Sequence, residues 1–179
     1  MIILVGASAS GKTEVAKILA SKYNIKKIIT HTTRNMREGE QNDVDYHFVS
    51  KDQFEELLKQ DYFVEHTLYN GNYYGTSKKE VQDDKCLIVD TNGLKAFKAL
   101  NDNHIVVFKL IAEEKTRFDR MIGRGDSKEN AETRIINDRI KFSDEEIGKV
   151  DYTINTEALG IEGVADLVSK TYKEKIKLK

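Results

Sequence analysis

The feature that most narrows the fold is an abrupt change at residue 6. The β-branched and aliphatic run Ile2-Ile3-Leu4-Val5 stops at Gly6, and a helical pattern follows with Val15, Ile18, Leu19 and Tyr23 spaced by three and four. The intervening segment, Gly6-Ala7-Ser8-Ala9-Ser10-Gly11-Lys12-Thr13, fits G-x-x-x-x-G-K-[ST] at every fixed position. Gly6 and Gly11 permit backbone angles at which successive N–H groups point inward at phosphate oxygens. Lys12 can reach the β- and γ-phosphates, and Thr13 can offer its hydroxyl to Mg²⁺. The positive N-terminal end of the following helix faces the same anion. A nucleoside triphosphate is the expected ligand of Gly6 to Thr13.

Short apolar runs recur at 27–30, 87–90, 105–111 and 152–155, with amphipathic stretches between them long enough to be crossover helices. Ser50-x-x-Gln53 and Ser77-x-x-Glu80 read as capping boxes opening helices. Thr91 or Asn92 can cap a helix through Leu100, Ser127 one running towards Phe142, and a last helix is expected over 161–176. Alternating strands and helices predict an α/β domain built on a parallel sheet covered on both faces. Residues 31–76 interrupt that alternation with Tyr, Thr, Asn and Gly and short alternating pieces such as Tyr46-His47-Phe48-Val49, the pattern of an inserted, partly antiparallel subdomain. The Lys-rich end, Lys173 to Lys179, reads as a solvated helix terminus whose charges suit the helix dipole.

Composition excludes several classes. Charged residues make up 33%, above the norm of about 25%, yet 29 basic and 30 acidic side chains leave a formal charge of −1. That balance argues against a nucleic-acid partner, which calls for a basic face. The chain has no proline, so proline-rich linkers and PxxP ligands are absent. A single cysteine, Cys86, forms no internal disulfide or thiolate zinc site, and the four histidines lack metal-ligand spacing. Met1 to Val5 is shorter than a signal-peptide core of about 7–15 residues. Nothing approaches the roughly 18 apolar residues of a membrane span. A cytoplasmic protein with no membrane partner, monomeric or homodimeric, is expected.

Two further features bear on the acceptor. Asp90 ends the run Leu87-Ile88-Val89, where it is either a strand-end turn residue or a carboxylate near Mg²⁺. Thr32-Thr33-Arg34-Asn35-Met36-Arg37 sets two guanidinium groups three residues apart, a solvated surface pair or a fork for a terminal phosphate. Tyr46 and Tyr74 can add hydroxyl donors to the same anion.

In order and near-identical spacing, Thr32-Thr33-Arg34-x-x-Arg37-x-Gly39-Glu40, Asp45-Tyr46-His47-Phe48-Val49-Ser50 and Gly71-Asn72-Tyr73-Tyr74-Gly75-Thr76 resemble the guanylate kinase family. With the phosphate loop and Gly123-Arg124-Gly125, the similarity runs from about residue 2 to 172. The resemblance implies Mg²⁺-dependent transfer of the γ-phosphoryl group of ATP to GMP or dGMP. It implies that Arg34, Arg37, Tyr46 and Tyr74 hold the monophosphate, that Glu65, Thr76 and Thr30 read the guanine edge, and that Arg124 and Arg134 are lid arginines. Arg120 and Arg139 are either extra lid cations or exposed helix charges. A single domain, 1–179, then divides into a core of about 1–30, 80–121 and 142–179, a mixed α+β GMP-binding insertion at about 31–79 and a short helical lid at about 122–141. One departure concerns Ile88, where the family usually carries an acid. A nucleoside monophosphate kinase of another base preference and a non-catalytic binding module of the same family are the alternatives.

Overall fold

A computed structural model of the chain describes residues 1–69 and 71–177. Its framework is a five-stranded parallel sheet in the order β2-β7-β1-β8-β9, formed by β1 (Ile2–Val5), β2 (Lys26–Lys27), β7 (Lys85–Ile88), β8 (Val106–Ile111) and β9 (Tyr152–Asn155). β1 lies at the centre, with Ile3 opposite Leu87 on one side and Val107 on the other. Successive side chains of a strand point to opposite faces, and both faces of β1 are covered. Ile2 and Leu4 pack with Val15 and Leu19 of α1 (Lys12–Tyr23) and Val164 and Val168 of α7 (Thr156–Lys177). Met1, Ile3 and Val5 pack with Leu94 and Phe97 of α3 (Thr91–Ala99). This double burial is why β1 reads as a continuous apolar run rather than an alternating one.

A second sheet, ordered β4-β3-β6-β5, is built from β3 (His31–Thr32), β4 (His47–Phe48), β5 (Phe63–Tyr69) and β6 (Asn72–Ser77). Its β5–β6 and β3–β6 pairs are antiparallel, and β3–β4 is parallel. α2 (Lys51–Lys59) covers it and opens on the expected capping box, Ser50 with Gln53. The α2 side chain Phe54 is fully buried and stacks on Phe63 at 4.5 Å and Tyr73 at 5.2 Å between centroids. Gly75 leaves room for that stack, since a Cβ there would stand 2.9 Å from both Phe54 and Phe63. α4 (Glu114–Gly123) and α5 (Lys128–Lys141) form a hairpin after β8, followed by one turn of helix, α6 (Asp144–Ile147).

Several local expectations shift. Ser77-x-x-Glu80 opens only a single 3₁₀ turn, Lys78–Glu80, in which Ser77 caps nothing. Glu80 instead pairs with Lys85 at 3.3 Å, because the chain must turn directly into β7. Asp90, rather than Thr91 or Asn92, caps α3 by accepting Gly93 N–H. Strand β2 stops at Lys27, although Ile28 N–H still bonds to Cys86 O at 3.1 Å. The final helix proper begins after Gly160, whose φ of 65° breaks α7. Leu178 and Lys179, the end of the Lys-rich tail, lie outside the described residues.

The Phe54 stack generates a stability test. Gly75→Ala forces a methyl into fixed aromatic rings, and overpacking of this kind costs about 1–3 kcal/mol. The urea midpoint should fall by the corresponding amount with an unchanged m-value, and an unchanged midpoint would show that the rings have room to move.

Candidate active site

Parallel strands bring their C-terminal ends to one edge, and ligands of open α/β sheets bind there. The segment after β1 occupies the middle of that edge. Gly6 has φ 148°, and a Cβ on it would sit 2.2 Å from the carbonyl oxygen of Leu110 on β8, so no side chain fits. Gly11 has φ 95° and precedes α1 without supplying a side-chain cap, which leaves the first N–H groups of the helix for an anion. Ala9 also adopts a left-handed conformation, φ 59°, unusual for a residue with a Cβ.

Lys12 folds back over this loop. Its Nζ donates to the carbonyls of Gly6 at 2.6 Å and Ala7 at 2.7 Å, and to Ser10 Oγ at 3.4 Å. Burial pulls its pKa down to about 8, against the attraction of Asp138 and with help from the charges of Arg117 and Arg124. An anion entering the loop would relieve that desolvation by supplying the missing countercharge. A cavity of about 250 Å³ opens beside it, lined by Gly11, Lys12, Thr13, Arg120 and Arg124 among others. Arg124 is held by Asp126 through its Nε and Nη2 at 2.9 and 2.8 Å. Arg120, left open by the sequence, donates to the carbonyl of Ala9 at 3.0 Å and so belongs to the loop. Arg139 pairs with Glu114 on the exposed side of the hairpin. Arg134 is exposed on α5, outside that cavity.

Asp90 stands at the end of the neighbouring strand segment. It accepts Gly93 N–H at 3.0 Å and pairs with Lys141 at 3.0 Å. Burial pushes its carboxyl up, but the Gly93 N–H and Lys141 outweigh this and hold it below its usual value. It is therefore ionised at neutral pH. Lys141 was not singled out in the sequence, where it looks like one more charge at the end of a surface helix.

The second sheet gathers the other group. Arg34 forms a two-toothed pair with Glu40, Nη1 to Oε2 at 3.0 Å and Nη2 to Oε1 at 2.7 Å. Its guanidinium lies 5.4 Å from the Tyr46 ring centre and 5.6 Å from that of Phe48. The Tyr74 hydroxyl approaches the same guanidinium, and the Tyr46 and Tyr74 rings meet edge-on at 6.2 Å. Glu40 also accepts Arg37 N–H at 2.7 Å, which folds the turn so that Arg37 stands exposed at its rim. The motif contained Glu40, but only the structure shows it aiming Arg34. Across β5 and β6, Glu65 and Thr76 are register partners, and Thr76 Oγ1 donates to Glu65 Oε1 at 2.7 Å. Thr76 is buried and Glu65 half-buried. Thr30 sits just before β3, its carbonyl accepting His47 N–H at 2.9 Å.

The molecule thus carries a phosphate loop with clustered cations and a separate clamp of arginine, two tyrosines and an oriented carboxylate. Among the described residues no group of three or more His, Cys, Asp or Glu side chains is placed to hold a metal ion by itself, and no helix is long and apolar enough to cross a membrane.

Comparison with known proteins points to one family. A family model for guanylate kinase matches residues 1–170. The guanylate kinase of Neisseria gonorrhoeae is 37% identical over 143 residues, covering 75% of this chain and 70% of that one, and a guanylate kinase of Neisseria meningitidis gives the same figures. The crystal structure of guanylate kinase from Anaplasma phagocytophilum is similar with a TM-score of 0.66 at 25% identity, over 98% of this chain and 85% of that one. The chain belongs to the guanylate kinase family.

Proposed function

We propose that this chain transfers the γ-phosphoryl group of ATP to GMP, and to dGMP, giving ADP and GDP or dGDP. The observation that carries the base assignment is the Thr76–Glu65 hydrogen bond. It fixes one carboxylate oxygen and leaves Glu65 with lone pairs to accept from the N1–H and N2–H₂ groups of guanine. Adenine offers no such donor pair. Arg34, Tyr46, Tyr74 and Arg37 then take the phosphate of the acceptor, with Thr30 near the base. The second pKa of a phosphate monoester is about 6, so the nucleophile is already largely dianionic at neutral pH and needs no general base.

What remains is electrostatic. Two anions have to be held with reacting atoms about 3–3.5 Å apart. Lys12 follows the transferring group, Arg124 and Arg120 flank it, and Arg134 joins them when the lid segment closes. Arg34 and Arg37 neutralise and aim the acceptor. The assignment of 31–79 as acceptor-binding insertion and 122–141 as lid belongs to this reading. Ala131, Ile135 and Asp138 of that lid segment are buried, Ala131 and Ile135 in one cluster with Met121 of α4. For Mg²⁺, Thr13 and Asp90 offer a hydroxyl and an ionised carboxylate, hard oxygen donors of the kind Mg²⁺ takes together with substrate phosphates and water. When bound, the ion supplies charge neutralisation on the phosphates.

ADP release should be stimulated by GMP and dGMP and not by AMP, CMP, UMP or dTMP. Stimulation by another base would keep the transfer chemistry and discard the roles of Glu65 and Thr76. Silence with every acceptor, despite nucleotide binding, would mark a binding module. Lys12→Ala is expected to lower kcat about 100-fold or more, measured in the same coupled assay. Arg37→Ala should raise KM for GMP about tenfold while KM for ATP stays put, since it removes a charge on the acceptor side only.

The Lys12 ammonium gives a pH test. Its pKa of about 8 lies below the ordinary 10.5, so the free protein loses the charge that attracts phosphate as pH rises through 8. kcat/KM for ATP should therefore bend downward near pH 8. The sign for stability is opposite: the unfolded chain holds this proton up to about 10.5, so Lys12 contributes stability that increases between pH 8 and 10.5. A flat kcat/KM profile through pH 8 would show that Lys12 keeps its charge there, against the effect of its burial.

A further inference from the structure

The α4–α5 hairpin contains two charges that the chemistry above does not use. Arg117 and Asp138 are 4% and 7% exposed, and they pair at 2.9 Å. Withdrawing two ions from water generally offsets much of their mutual attraction, so such a pair is weak evidence for stability alone. Both partners converge on one residue of the phosphate loop. Asp138 Oδ2 accepts Ser8 N–H at 2.7 Å. The Arg117 Nη1 that bonds to this same oxygen also donates to the Ser8 carbonyl at 3.3 Å. Donor and acceptor of a single loop peptide position are thereby gripped from two helices. One residue on, Ala9 has the left-handed φ of 59°, its carbonyl taken by Arg120. Ala9 packs with Phe118 against the small buried cluster Met121, Ala131 and Ile135.

We propose that Arg117 and Asp138 are positioning residues that hold Ser8 and Ala9 in the phosphate-accepting shape of the loop, and so set the affinity for the phosphates of ATP. The proposal rests on the phosphotransfer reading above. A loop with a left-handed alanine between two glycines has other conformations to visit, and any it visits must be given up when phosphate binds. The pair removes that ordering cost in advance. The pair's hydrogen bonds to the loop go to Ser8, whereas those of the Arg34 guanidinium go to Asn35 and Glu40, so the acceptor clamp is not part of the same network. Only one oxygen of Asp138 receives both Ser8 N–H and Arg117, so an amide oxygen at the same place can substitute for it.

Full-length wild type, D138N, D138L and the double variant R117M/D138L are compared by thermal unfolding, by KM for Mg·ATP and for GMP, and by titration with fluorescently labelled ADP. D138L should raise KM for ATP about tenfold, as misplacement of a binding loop does, with KM for GMP within about twofold. D138N should recover ATP use to within about threefold, because it retains the acceptor oxygen. R117M/D138L removes the unpaired buried charge and should regain melting temperature while keeping the ATP defect. Wild-type ATP affinity in the double variant, or equal rises in both KM values, would overturn the proposal. Amide exchange of nucleotide-free wild type gives a reading that needs no variant: Ser8 N–H is expected to be protected about 100-fold or more, and exchange at the free rate overturns the assignment. If wild type transfers phosphate to no monophosphate, the phosphotransfer reading fails. The labelled-ADP titration and the exchange experiment then still judge the pair.

Discussion

Everything at the active edge depends on the complete burial of β1. Ile2, Ile3, Leu4 and Val5 are all 0% exposed, held between β7 and β8 and covered on both faces. A strand so enclosed cannot slide or tilt without exposing apolar surface or breaking two ladders of hydrogen bonds. Its end is therefore a fixed point. Gly6 is pressed against the Leu110 carbonyl there, and the loop must leave along the single path that contact allows. Lys12 and the open end of α1 inherit their places from it.

The cations of the site share one device. Arg34 is held by Glu40, Arg124 by Asp126, Arg117 by Asp138, and Lys141 is joined to Asp90. Each carboxylate aims its partner and limits the repulsion among like charges gathered for a polyanion. The degree of burial separates their uses. The exposed pairs, such as Arg124 with Asp126, are weakly bound and free to exchange a carboxylate for phosphate. The Arg117–Asp138 pair is enclosed and cannot be exchanged so readily, which suits a fixed support. Lys12 differs from all of these, being held by loop carbonyls and the Ser10 hydroxyl rather than by a carboxylate, and its lowered pKa reflects burial before any partner charge.

How much of this was legible in the sequence depends on the range of each contact. Strand, loop and α1 could be read because their signals lie within about twenty residues, with backbone geometry demanded locally by Gly6 and Gly11. The capping boxes illustrate the limit. Ser50 with Gln53 behaves as its residues suggest, whereas Ser77 with Glu80 has the same pattern and makes no cap, since Glu80 is drawn to Lys85 at the start of β7. Glu65 and Thr76 were linked to guanine through resemblance alone. Their mutual hydrogen bond arises from a cross-strand register that includes an irregularity between Phe63 and Glu65, and periodicity does not reveal such a shift. Arg117 and Asp138 could not be distinguished from the solvated charges around them on two amphipathic helices.

By itself, then, the sequence determined the class of fold, the glycine-bounded loop after β1 and the family, because those rest on short-range patterns of glycine, apolar runs and motif spacing. Tertiary structure alone decided which charges act together. Ser8 and Asp138 are separated by 130 residues, Lys141 and Asp90 by 51, yet both pairs lie within hydrogen-bonding distance. Burial decides which of some sixty charged side chains are removed from water and therefore matter most. Burial is a property of the packed helices and sheet, and no single stretch of chain contains it.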